Sequence, residues 1–338
     1  MNALNKLLLY LVLPLILIVG GVAAATYSWV QGPLVLPTER VDILVPPGAT
    51  PSSIATIINQ AGIPLNSTGF VALARIGELD TKIKAGGYQI IQGDSPWAVL
   101  RRMALGDVTA RHITFVEGWT LRQFRAALAQ HPDIKQTLAQ LSDADLLKRL
   151  NNLGATSSPE GLFFPDTYVF SIGTSDFDLL ERAARTQKQI LEQAWANRAP
   201  NSMLKNPYEA LILASIIEKE TGYAPDRKRV AGVFSNRLRA NMLLQTDPTV
   251  IYGLGETFTG KLRKQDLLAD TPYNTYTRSG LPPSPIASSG RAALSAALNP
   301  EKHSYLYFVA KGDGSSAFAA TLPEHNKNVS TYLLNRKP

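Results

Sequence analysis

The run "LLLYLVLPLILIVGGVAAATYSWV", Leu7 to Val30, contains no charged side chain. It constrains the fold more than any other segment, because about 20 apolar residues in a row make a helix that crosses a bilayer. Tyr27 and Trp29 stand at its far end, where amphipathic rings favour the membrane interface. The small residues of "VAAAT" also fit a signal-peptide cleavage site, but the apolar stretch exceeds the ~7–15-residue core of a cleaved signal. The reading is an uncleaved anchor. Lys6 and the α-amino group then place residues 1–6 in the cytoplasm and everything after Val30 on the far side.

The 338-residue chain has room for two or three soluble units beyond that anchor. Its net charge of +7 suits an acidic surface or polymer, and equally suits plain solubility. The sequence has no Cys, which excludes disulfides, thiolate chemistry and Cys-based metal sites. Residues 31–40, "QGPLVLPTER", read as a linker.

One pattern then occurs three times, in "VDILVPPGATPSSIATII", "YQIIQGDSPWAVLRRMALGD" and "HITFVEGWTLRQFRAALAQ". An apolar strand ends at Gly48, Gly93 or Gly118, and Thr50, Ser95 or Thr120 caps a following helix. Thr120 and Gln123 match a capping box. These are either ordinary strand-to-helix turns, or the first two build a small module over residues 41–110 that presents a groove. "GDSPWAVLRRM", Gly93 to Met103, resembles the first turn and helix of LysM-type glycan-binding modules. Trp97 has two roles open to it, packing between strand and helix, which is commoner, or stacking on a sugar.

Residues 111–338 read as a larger domain. A helical tract over Asp133–Leu150 leads into "PEGLFFPDTYVFSIGTSD", a strand and loop. Ser175 starts a long helix, Pro207 opens another that ends at Gly222, and Asp226–Ala240 forms a third. From Gln245 the chain turns loop-rich, then "RAALSAAL" forms a short helix, "YLYFVAKGDG" a strand and turn, and "AFAATLPEHNKNVSTYLL" a strand and helix. The mixed order makes the fold α+β.

"ASIIEKETG", Ala214 to Gly222, carries acids out of an apolar helix. At about 100° per residue, Glu218 shares a face with Leu211, Ala214, Ser215 and Gly222, mostly small, while Glu220 lies with Leu213, Ile216 and Ile217. Glu218 is thus a candidate cleft acid, and Glu220 a structural acid in need of a partner such as an Arg. A simply solvated helix end fits the same periodicity. None of the four His sits at a metal spacing such as HExxH, and no GxSxG elbow or GxxxxGK[ST] loop occurs, so no metal or cofactor is read. Lys and Arg are spread without an aromatic-basic module, so no nucleic-acid partner is read either. Gln245, Thr246, Asp247, Thr249, Tyr273, Asn274, Tyr276 and Thr277 cluster in the loops, a composition that suits a hydroxyl-rich ligand and also ordinary turns.

"EGLFFPDTY", "LILASIIEKET", "VAGVFSNRL", "LQTDPTVIYG", "TPYNTYTRSGLPPSPIASSG" and "YLYFVAKGDG" follow in order, and the chain resembles the endolytic murein transglycosylases, the YceG-like family. The resemblance covers nearly the whole chain and is loosest in the N-terminal module. It implies a single-pass protein of the bacterial inner membrane with its catalytic domain in the periplasm. It also implies internal cleavage of nascent peptidoglycan strands, with peptidoglycan synthases as partners. The first Glu of the "EKE" stretch, Glu218, corresponds to the catalytic acid. Gln245, Asp247, Thr249, Tyr273, Asn274 and Tyr276 are the candidates for holding glycan or orienting Glu218. Two rivals stand beside this reading: a hydrolase pairing Glu218 with Asp247 or Glu220, and a membrane-tethered glycan-binding scaffold without catalysis.

Overall fold

A computed structural model describes residues 11–150 and 158–334; the orientation argument from Lys6, and the first residues of the apolar run, lie outside them. Helix α1 (Leu13–Gln31) has 19 residues and buries none of them. It is about 28 Å long at 1.5 Å per residue, close to the thickness of a bilayer's hydrocarbon core. Among the described residues it is the one helix long and apolar enough to cross a membrane, which is compatible with an anchor.

The chain forms two compact units. One runs to Arg111 and takes in Asp133–Lys135 and Val169–Thr174. Its β1 (Arg40–Val45) pairs antiparallel with β2 (Gly86–Ile91), with Ile43 opposite Tyr88. Side chains alternate along β1, so Ile43 and Val45 point inward. They meet Ile54, Ala55 and Ile58 of α2 (Pro51–Gln60), Phe70 of α3 (Ser67–Ile76), and Val99, Leu100 and Met103 of α4 (Pro96–Leu105). The anticipated turns are present. Gly48 and Gly93 have φ of 76° and 96°, a region that side chains disfavour. Thr50 and Ser95 accept the N–H groups of Ser53 and Ala98 as helix caps.

The segment read as a linker is partly core instead. Leu34 is buried and its N–H donates to the Asp94 carbonyl at 2.7 Å, so the chain leaving α1 is tied to this unit. Trp97 packs against the same core, and a Cβ at Gly77 would lie 2.8 Å from its ring.

Strand β3 (Ala110–Thr114) pairs with β4 (Thr167–Ser171). The second unit contains α5 (Leu121–Gln130), α6 (Asp143–Arg149), α7 (Asp176–Ala196), α8 (Pro207–Glu220) and α9 (Ala224–Arg239). After these come α10 (Asp247–Leu254), α11 (Lys264–Leu268), α12 (Arg291–Leu298), the antiparallel hairpin β5 (Tyr307–Ala310) and β6 (Ser316–Ala319), and α13 (Leu322–Val329). Gly118 has φ of 79° and Thr120 caps α5 in a capping box, as the third copy of the pattern required.

Two readings are corrected. The tract Asp133–Leu150 is helical only over Asp143–Arg149. The buried Asp176 carboxylate accepts the N–H groups of Thr137 at 2.9 Å and Leu138 at 3.0 Å, which draws that backbone away from a helical ladder. The loop-rich stretch after Gln245 also contains a helix outside the sequence reading, α10, whose first turn carries Pro248, where its missing N–H costs nothing.

Helix α8 is the centre of this unit. Every residue from Ala210 to Ile217 is buried, as expected of a helix that is apolar all round. Small side chains on both partners let it lie closely against α12, whose Ala293, Ala296 and Ala297 are buried.

In the first unit, Asp94 is buried and bound by Arg102 through both carboxylate oxygens, at 2.7 and 2.8 Å. Burial pushes the Asp94 carboxyl up, but the Arg102 guanidinium and the Ile91 N–H outweigh it and hold the group below the usual carboxylate range. Asp94→Ala leaves the Arg102 charge with only the Gln89 carbonyl and removes the carboxylate that accepts the Ile91 N–H. The expected cost is roughly 2–4 kcal/mol in denaturant unfolding, whereas an exposed pair such as Arg122–Glu256 should cost under about 1 kcal/mol.

Candidate active site

The end of α8 emerges from the core at Glu218, which is half-buried. Residues 284–290 run beside it and fix what it meets. Ile286 N–H donates to the Ser215 hydroxyl at 3.0 Å, tying this segment to the helix one turn before Glu218. Gly118 N–H donates to the Ser288 carbonyl, and Ser288 N–H to the Trp119 carbonyl, both at 2.8 Å. This short ladder delivers the Gly290 N–H to Glu218 Oε2 at 2.8 Å.

The turn carrying Gly118 brings a second carboxylate. A Cβ at Gly290 would fall 1.8 Å from Glu117 Oε1, so Glu117 lies against the residue that donates to Glu218. Lys219 Nζ reaches the Gly118 carbonyl at 3.3 Å. Burial pushes the Glu218 carboxyl above its ordinary range; the Gly290 N–H, Arg227 and Lys219 pull against it, and Glu117 adds to the rise. An acid held in this way gives up its proton at higher pH than an ordinary glutamate, and it has one backbone donor ready for the carboxylate left when the proton goes.

Glu220, read as an acid in need of a partner such as an Arg, is partnered by a hydroxyl. The Thr246 hydroxyl donates to it. Burial raises this carboxyl too, Thr246 opposes the rise, and Asp247 adds to it. Glu220 lines a cleft of about 510 Å³ together with Gln245, Asp247 and Tyr276. The Tyr276 hydroxyl donates to Asp247 at 2.6 Å, and Gln245, in the left-handed region at φ 50°, accepts from Arg237.

A larger cleft of about 1080 Å³ opens on the Lys219 side of the same helix end. Tyr273 belongs to this one, with Tyr252 edge-on at a ring separation of 4.8 Å and Ile286 nearby. The binding candidates from the sequence therefore divide between two clefts, while Glu218, read as a cleft acid, sits between Lys219 and Glu220 and lines neither. Thr249 and Asn274 line neither. Thr249 is fully buried and bonds Thr246 and Thr275, and Asn274 donates to the carbonyls of Asp266, Leu267 and Ala269 while accepting from Tyr276 N–H. They build the loop that presents Tyr273 and Tyr276.

Sequence reasoning missed Glu117, Arg227, Gly290 and Glu160. Glu160 lies in the "EGLFFPDTY" stretch, yet nothing local marked it as buried. Its neighbours on the larger cleft are more than 90 positions away in the case of Tyr252, to which it is hydrogen-bonded.

The model of the YceG-like family matches residues 43–331. The chain belongs to the YceG-like family. It is 33% identical over 341 residues to a protein of Bacillus subtilis (strain 168) named endolytic murein transglycosylase, covering 95% of this chain and 92% of that one. A Streptococcus pneumoniae protein of the same name (serotype 2, strain D39) is 27% identical over 326 residues, covering 87% of this chain but only 59% of the longer relative. The crystal structure of a YceG-like protein from Listeria monocytogenes superposes with a TM-score of 0.53 at 32% identity, covering 86% of this chain and 99% of that one.

Removing the charge at Glu117 should lower the proton affinity of Glu218. For an enzyme that needs Glu218 protonated, the alkaline fall of kcat/KM then moves to lower pH in Glu117→Gln. Gly290→Ala should move it the same way. Gly290 has φ of −75°, which alanine tolerates, and the new methyl group displaces the Glu117 carboxylate. A pH–rate profile checks both; profiles that overlay the wild type would show that Glu117 does not act on Glu218.

Proposed function

We propose that the chain is a membrane-anchored lytic transglycosylase that cuts nascent peptidoglycan strands internally between N-acetylmuramic acid and N-acetylglucosamine. The observation that carries this reading is Glu218, a half-buried carboxyl with raised proton affinity and one N–H partner. Two clefts open beside the helix end that bears it.

One carboxyl group serves both halves of the reaction. Glu218 first gives its proton to the glycosidic oxygen, and the bond from that oxygen to C1 of the muramic sugar breaks. The Gly290 N–H stabilises the carboxylate that results. That carboxylate then takes the proton of the same sugar's 6-hydroxyl, whose oxygen closes on C1 as a 1,6-anhydro ring. The proton is back on Glu218 and no water has been consumed. Tyr273 on one side, and Gln245, Asp247 and Tyr276 on the other, hold the strand, while Thr249 and Asn274 keep their loop in place. Glu220 supports Thr246 next to Asp247.

Helix α1 anchors the enzyme in the inner membrane, with the N-terminus in the cytoplasm and both units in the periplasm. There it acts on strands as peptidoglycan synthases release them. The unit with β1 and β2 is a LysM-like module that adds affinity for long strands.

The proximity of Glu117 to Glu218 favours one second reading, a two-carboxylate hydrolase in which Glu117 activates water. The products separate the two. Mass spectrometry of nascent glycan after incubation with the protein should find 1,6-anhydro ends, and reducing ends in their place would select the hydrolase. In the same assay Glu218→Gln should lose at least roughly 10²–10⁴-fold in rate with its thermal melt retained. Glu220→Gln should keep its cleavage chemistry in the protein that folds, and a folded but inactive Glu220→Gln would move the acid to the other face of α8.

A further inference from the structure

Glu160 takes part in none of these steps, yet it is a carboxyl only 5% exposed in the wall of the larger cleft. Each hydrogen bond to its side chain comes from a donor. Leu121 N–H, at the start of α5, lies 3.0 and 3.2 Å from the two oxygens, Gly161 N–H lies at 3.2 Å, and the Tyr252 hydroxyl lies at 3.2 Å. An ionised carboxylate only accepts, whereas a tyrosine hydroxyl has one hydrogen to give and lone pairs to receive. Among the described residues, Glu160 is the hydrogen-bond partner of Tyr252 Oη, so the single hydrogen of that hydroxyl is committed.

Tyr252 itself lines the cleft, edge-on to Tyr273. We propose that Glu160 is a positioning residue that fixes the polarity of Tyr252, so that this hydroxyl meets the bound glycan as an acceptor for a sugar hydroxyl or an N-acetyl N–H. The inference rests on the glycan reading of this cleft and goes beyond it by assigning how one wall reads its ligand.

The arrangement has a built-in reversal. Burial pushes the Glu160 carboxyl up to about 7, with the N–H groups of Leu121 and Gly161 and the Tyr252 hydroxyl opposing and Asp143 adding to the rise. The cations lining the same cleft are Arg122, Arg125 and Lys219; Arg122 is paired with Glu256, Arg125 with Asp143, and Lys219 bonds the Gly118 carbonyl. A protonated Glu160 has a hydrogen to place, and of its three partners only the Tyr252 oxygen can accept it. Tyr252 then turns its own hydrogen toward the cleft and no longer receives one from the glycan. Affinity should fall as pH drops through the Glu160 transition.

The test is steady-state cleavage of glycan oligomers by the full chain in detergent, on both sides of pH 7. Wild type is compared with Glu160→Gln, Tyr252→Phe and the double variant. Glu160→Gln keeps the size but donates an amide hydrogen to Tyr252, which imposes the reversed polarity at every pH. The expected result is a KM raised roughly 3- to 10-fold at the higher pH, more than kcat falls, in both single variants. The double variant should lose no more than either single variant, because both act through one contact. The wild-type rise in KM at lower pH should disappear in both. Wild-type cleavage with KM unmoved in the variants would overturn the proposal alone. So would a Tyr252→Phe protein that keeps the wild-type pH dependence of KM, and this arm decides the matter if Glu160→Gln fails to fold. A wild-type protein that neither binds nor cuts glycan would overturn the reading of the cleft, and this proposal with it.

Discussion

The Gly290 N–H on Glu218 is the contact around which the site is arranged. It depends on a helix and a loop being held in register. Helix α8 is buried over eight consecutive residues, so its last turn has a fixed direction and height. The Ser215 hydroxyl, pointing from that helix, takes the N–H of Ile286, and the turn at Gly118 and Trp119 takes hold of Ser288 from the other side. Gly290 is thereby placed within 2.8 Å of the acid. It has room for the Glu117 carboxylate only because it lacks a side chain.

Three carboxyl groups of this unit are pushed up by burial, and their partners separate their roles. Glu218 has a backbone donor and a neighbouring carboxylate. Glu220 has the Thr246 hydroxyl and the Asp247 charge beside it. Glu160 has two backbone N–H groups and a tyrosine hydroxyl, with no cation among the causes of its shift. Desolvation alone would not tell these three apart. The donors do, because a backbone N–H cannot reverse its polarity and a hydroxyl can.

Much of this was legible in the sequence, and the limits have physical causes. The turns at Gly48, Gly93 and Gly118, with their caps at Thr50, Ser95 and Thr120, were readable because positive φ and helix capping are local demands that particular residues satisfy. The bounds of α7, α8 and α12 followed from Ser175, Pro207 and the alanine-rich run. The helical wheel set Glu218 on a small-residue face beside a cleft and Glu220 on the packing face, whereas Glu220 lines the smaller cleft and Lys219 the larger. Periodicity gave no sign of which groups would meet those acids. Gly118, next to Glu117, and Gly290 are 101 and 72 positions from Lys219 and Glu218 along contacts that only the folded chain closes. Asn274 and Thr249 looked like ligand-binding residues because amides and hydroxyls in a loop serve ligands and loops equally well. Their burial resolves that ambiguity.

The central claim is that Glu218 holds its proton where an ordinary surface carboxylate has lost it. Carbon-13 labelling of the glutamate side-chain carboxyl groups, with wild type and Glu218→Gln spectra compared to assign the Glu218 resonance, measures this directly in an NMR pH titration. The expected result is a Glu218 midpoint clearly above the ordinary glutamate value near 4.5, the direction that burial against α8 and the neighbouring Glu117 impose. A midpoint at or below that value would contradict the claim, because the carboxyl would then be ionised at rest and could not begin the reaction as an acid.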